Sequence, residues 1–112
     1  MAKGDFIGEF ELYVLLAITQ LEDGAYGIRI RREIERRTGR EIAVGAIYAT
    51  LGRLHEKGLV AFSLSDPEPV QGGRARKHYQ LTPDGLRAVR HSTTMLTRMM
   101  AGANLAAKGR RS

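Results

Sequence analysis

The chain has 112 residues, 43% of them hydrophobic, enough for one small domain with one core and too few for a second. Lysine and arginine outnumber aspartate and glutamate by 18 to 12, a formal charge of +6. That bias favours a polyanionic partner, nucleic acid first and anionic lipid second. No cysteine is present, which excludes disulfides, zinc thiolate sites and thiol catalysis together and agrees with a reducing compartment.

The opening MAKGDFIGEFELYVLLAITQLEDG has an apolar core too short to span a membrane, preceded by Glu9 and Glu11 and followed by no small-residue cleavage site. It predicts a cytoplasmic protein without a membrane segment, with a central buried helix over residues 10–21. Next, AYGIRIRREIERRTG sets Tyr26, Ile30 and Ile34 on one helical face, with Gly39 just past a basic end. Arg29, Arg32 and Arg36 share a flank of this helix, as a solvated face paired to Glu33 and Glu35 or as a phosphate contact.

In VGAIYATLGRLHEKGLV, the positions Val44, Ile47, Leu51 and Leu54 form an apolar stripe and Gly58 stops the helix. The opposite face carries Gly45, Ala46, Ala49, Thr50 and Arg53. A face so small-residued and nearly uncharged suits a helix pressed against another surface. Residues 59–65, LVAFSLS, and 74–82, RARKHYQLT, then predict an antiparallel hairpin, with Arg74, Arg76, Lys77 and His78 crowded toward its tip. On the returning strand Arg74, Arg76 and His78 share one face while Lys77 points with Tyr79 and Leu81, and His78 has no assigned contact. Thr82, Pro83 and Asp84 read as N-cap, first helical position and first-turn acid. Leu86, Val89, Thr93, Leu96 and Met100 follow as a narrow, heptad-like seam, the kind that pairs with another helix.

Three helices, a two-stranded hairpin and a further helix predict an α+β, mostly α fold: a winged helix-turn-helix with a C-terminal dimerisation helix. The expected division is residues 1–82 for the DNA-binding winged helix, 83–101 for the dimerisation helix and 102–112 for a flexible basic tail. A major groove about 12 Å wide admits the third helix. Base reading falls to Ala46, Ala49, Thr50 and Arg53, and phosphate contact to Arg74, Arg76 and Lys77. Phe10 is expected to assist the dimer seam.

The motifs AYGIRIRREIE, VGAIYATLGRLHEKGLV and GGRARKHYQLTPDG, with the leading GEFELYVLLAITQL, resemble PadR-type transcriptional regulators over about residues 8–90, and the short end is similar to members with one dimerising helix. The resemblance implies a homodimer on double-stranded operator DNA, usually a repressor, released by an effector. It matches Tyr48 to a recognition-helix tyrosine, Gly45 to the small residue near that helix's start, and Arg74, Arg76 and Lys77 to the basic wing. Tyr79 and Leu81 match the wing's packing positions, and Thr82, Pro83 and Gly85 the entry to the last helix. The chain departs from the pattern at Ala43, where a serine or threonine cap is common, and at His55, where a glutamate is common; His55 is expected at the core edge beside Leu51. Met95, Met99 and Met100 read as packing or as an adaptable surface for a small apolar effector. No cofactor, metal site or enzymatic activity is expected, since His55, His78 and His91 lack ligand spacing and no phosphate-binding glycine loop occurs. The rival reading is a winged helix used as a protein-interaction module.

Overall fold

A computed structural model describes residues 7–64 and 76–106. Arg74, the hairpin tip and the final basic residues lie outside that range.

The first helix, α1 (Glu9–Leu21), is the hub: Leu12, Val14, Leu15, Ala17 and Ile18 are buried, and three other helices and the hairpin pack around it. At its start the Glu11 carboxylate accepts the Gly8 N–H at 3.0 Å, satisfying one of the donors a helix leaves open. A single 3₁₀ turn, Glu22–Gly24, leads to α2 (Gly27–Thr38), which buries Ile30 and Ile34 and ends at Gly39 with φ 75°. Tyr26 stands just before α2 as its N-cap, half-buried, so the apolar face begins at Ile30.

The helix α3 (Val44–Glu56) buries Ile47, Thr50, Leu51 and Leu54 and leaves Val44 45% exposed. The expected stripe is therefore rotated. At about 100° per residue, Val44 and Thr50 sit at opposite edges of the same arc, and it is the Thr50 edge that faces the core. Ala43 is the N-cap and makes no side-chain capping bond. His55 is exposed, its ring 5.2 Å from that of Phe62, and lies off the core edge where it was expected.

Strands β1 (Val60–Leu64) and β2 (Lys77–Leu81) pair antiparallel, Val60 with Leu81, Phe62 with Tyr79 and Leu64 with Lys77. On its other edge β2 is held by Ala25, whose carbonyl accepts the Tyr79 N–H at 2.9 Å, and by a bridge between Tyr26 and His78. The hairpin is thereby tied to the start of α2 as well as to its own partner strand.

The last helix, α4 (Pro83–Met100), starts as the sequence predicts. The Thr82 hydroxyl accepts the Gly85 N–H at 3.0 Å and donates to the Gly58 carbonyl at 2.7 Å, while the Thr82 N–H reaches the Leu59 carbonyl at 3.1 Å. A Cβ on Gly85 would overlap that carbonyl oxygen. Only glycine lets α4 come so close. Ala88 and Val89 close the core, so Val89 belongs to the protomer's interior and not to a free seam. Beyond it Leu96, Met99 and Met100 are exposed. No helix among the described residues is long and apolar enough to cross a membrane.

Candidate nucleic-acid interface

The open face of α3 is built by elimination. Once Ile47, Thr50, Leu51 and Leu54 are committed to the core, a helix of 3.6 residues per turn must present Gly45, Ala49 and Gly52 on the opposite side. All three are exposed, and among the described residues a Cβ added at Gly45 or Gly52 would meet nothing within 4 Å. Ala46 and Arg53 flank this strip toward α1, and Tyr48, 49% exposed, flanks it toward α2. Gly52 went unread in the sequence, although its spacing from Gly45 and Ala49 is helical. Thr50 is corrected: at 1% exposure it is buried and cannot read a base edge itself.

Tyr48 lies over the start of α2, where a Cβ on Gly27 would stand 2.5 Å from its hydroxyl. Burial pushes the Tyr79 phenol above its ordinary pKa, and neighbouring Tyr48 adds to the shift. Tyr26, next to Gly27, receives the Arg76 guanidinium 5.1 Å above its ring and the His78 ring edge-on at 4.8 Å. Arg76, Tyr26, Gly27 and Tyr48 therefore join the hairpin to the open face of α3. On the other face of β2, Lys77 lies 4.5 Å from the centroid of Phe62, whose ring also meets His55 of α3 and Tyr79. Contacts of this cation–π kind orient long side chains without consuming their charge. His78, unassigned from sequence, is a wedge between the strand and Tyr26.

At the opposite edge of α3 the structure holds a cluster the sequence did not reveal. Glu11, 8% exposed, receives Lys57 Nζ on both carboxylate oxygens at 3.0 Å and Arg53 Nε at 3.7 Å. Burial opposes its ionisation, but the Gly8 N–H, Lys57 and Arg53 together outweigh it and hold the carboxyl below its ordinary range. Arg53 is thus on the strip's edge and already oriented. On α2, Arg36 and Arg37 pair with Glu33, and Arg31 lies 3.9 Å from Glu35; of the flank Arg29, Arg32 and Arg36, the ion pairs among the described residues take in Arg36 alone. Phe10 packs in its own protomer below Arg40, 5.9 Å from the guanidinium carbon.

A scan against protein families matches residues 14–91 to the transcriptional regulator PadR-like family. The chain belongs to that family. Its structural relatives agree. A complex of hsRosR is 26% identical, with 98% of this chain and 88% of that chain covered and a TM-score of 0.69. RosR of H. salinarum grown from NaBr is 25% identical, with 94% and 87% covered and a TM-score of 0.66. A PadR family transcriptional regulator from Eggerthella lenta is 28% identical, with 83% and 82% covered and a TM-score of 0.63. A comparison with curated proteins returned no match. As a PadR-like regulator the chain is a winged-helix, DNA-binding transcription factor, of a fold and family that imply no enzyme. In the winged-helix arrangement α3 is the third helix and the hairpin is the wing.

Proposed function

We propose that the chain is a homodimeric, cytoplasmic repressor that binds a palindromic operator through the open face of α3 and the basic wing. The observation that carries this reading is the strip of Gly45, Ala49 and Gly52, whose glycines face open space and whose edge continues into the wing through Tyr48, Gly27, Tyr26 and Arg76. Residues this small let a helix backbone sit deep in a groove. Gly45, Ala46, Ala49 and Arg53 then meet base edges, the alanine methyls against thymine methyls and Arg53 on guanine. Tyr48, Arg76 and Lys77 meet the backbone, joined by Arg74 outside the described residues. Two copies related by a twofold axis would place their recognition helices about 34 Å apart, one turn of duplex. Leu86, Thr93, Leu96 and Met100 of α4 supply the dimer contact, with residues 1–82 as the DNA-binding unit, 83–101 as the dimerising helix and 102–112 as a tail. The exposed methionines Met99 and Met100 support a small apolar effector at that contact.

Titration of the full chain against duplex DNA from upstream of its own gene, at two salt concentrations and with scrambled duplex as competitor, tests the reading. The expected result is a tighter, salt-sensitive complex with the upstream duplex. Equal affinity for both duplexes reduces the chain to a nonspecific binder, and no affinity for either favours a protein-interaction module.

A further inference from the structure

Thr50 differs from four other helical threonines. Thr19, Thr38, Thr93 and Thr97 each turn the hydroxyl back to a carbonyl of the preceding turn, at 2.6, 2.7, 2.9 and 2.9 Å. That is the usual local bond of a helical threonine. Thr50, buried in the middle of α3, instead accepts Arg53 Nη2 at 3.0 Å. Arg53 Nε lies 3.7 Å from Glu11, and Glu11 is itself fixed by the Gly8 N–H and by Lys57. A guanidinium whose side chain is 54% exposed is therefore gripped by two groups that are hidden from solvent. An arginine on a bare surface samples many rotamers, and ordering it on a ligand weakens binding. Here Thr50 and Glu11 already meet the guanidinium in the absence of DNA.

We propose that Thr50 and Glu11 are positioning residues that set the direction in which Arg53 meets DNA, so that sequence discrimination depends on side chains that never touch the duplex. The proposal rests on the reading of Arg53 as a DNA contact and assigns Thr50, misplaced on the exposed face from sequence, a role in specificity from within the core.

The test uses the full chain, a duplex enriched by the wild-type protein from a randomised pool, and a scrambled duplex of the same length. Thr50→Val keeps the branched shape and removes the acceptor; Thr50→Ser keeps the hydroxyl. Thr50→Val is expected to lower the ratio of scrambled to selected Kd by about five- to tenfold, part of what one good arginine–guanine pair contributes. Affinity for scrambled duplex and the melting midpoint should stay at the wild-type level, and Thr50→Ser should retain the wild-type ratio. Glu11→Gln should lower the ratio in the same direction, and Thr50→Val added to Arg53→Ala should have no further effect. If Arg53→Ala lowers the ratio while Thr50→Val leaves it intact, positioning is overturned and the DNA contact stands. If Arg53→Ala leaves the ratio intact, or the pool enriches no sequence, the contact fails and positioning with it. Equal loss on both duplexes in Thr50→Val marks a purely structural role and also overturns the proposal.

Discussion

A glycine inside a helix costs about 1 kcal/mol relative to alanine, and Gly52 sits in α3 where a methyl group would touch nothing within 4 Å. Among the described residues none fills that space, which leaves room for a surface to approach α3 closely. Gly52→Ala is expected to raise stability by about 1 kcal/mol, or roughly 4–8 °C in melting midpoint for a domain of this size. The same methyl should weaken binding to a preferred duplex by about tenfold, near 1.4 kcal/mol. Calorimetry paired with fluorescence anisotropy reads both; a stabilised variant with unchanged affinity removes Gly52 from the contact face. Glu11 gives a second residue-scale expectation. Its folded pKa lies below the ordinary 4.5, so its stabilisation is fully present above that value and is lost as pH falls through the lower folded value. Glu11→Gln should cost about 1–3 kcal/mol at neutral pH, by removing the negative charge that Lys57 and Arg53 meet there. The gap between variant and wild type should close in acid, and a gap independent of pH would show that the carboxylate charge is not the source. Glu11 was legible only in part. Its place three residues after Gly8 marks a helix start, whereas its bond to Lys57 joins residues 46 apart in sequence, and no local pattern carries such a distance.

The four α-helices and the two strands were visible in sequence because period and punctuation agreed: Gly39 after α2, Thr82 and Pro83 before α4, alternation around Tyr79 in the wing. The orientation of α3 about its own axis was less so. A hydrophobic stripe cannot choose between an edge valine and an edge threonine, and at the first helical position Val44 reaches past the core while Thr50, in the middle, cannot avoid it. The wing shows what alternation leaves out, since the partners of its cations, Tyr26 and Phe62, come from α2's N-cap and the neighbouring strand. Arg76→Ala is expected to weaken all duplexes alike and to flatten the dependence of log K on log salt by about one unit for each phosphate that the wing no longer neutralises. An unchanged slope takes the wing out of the mechanism. At the joint between α3's exit and α4, Gly85→Ala forces a methyl into the Leu59 carbonyl and should destabilise by about 1–3 kcal/mol. The same substitution thus has opposite signs at Gly52 and Gly85, and thermal melts of the two variants side by side decide whether close packing is what separates them.

At the scale of the whole molecule, the protomer keeps Val89 for itself and leaves Leu96, Met99 and Met100 at 51, 80 and 58% exposure along one end of α4. PadR-like regulators typically dimerise, and apolar surface of this kind is what a second helix covers. If the proposed dimer forms through α4, Leu96→Glu should yield a monomer that melts cooperatively, with DNA affinity falling as the proposed second half-site goes unread. Sedimentation velocity at micromolar concentration checks it, and a dimer that survives the substitution moves the interface elsewhere.

The fastening of α4 has a mechanical consequence. Thr82 bonds both Gly58 and Gly85, and Gly85 lies against the Leu59 carbonyl, so the base of α4 has little play against the end of α3. Its 18 residues make a lever of about 27 Å. A tilt of about 10° about that base moves the far end by about 5 Å, the rise of one helical turn. In the proposed dimer the same lever runs in reverse: a small change in how two α4 helices cross would swing the bodies that carry α3 through the same angle, and two heads meant to sit about 34 Å apart would fall out of phase with the groove.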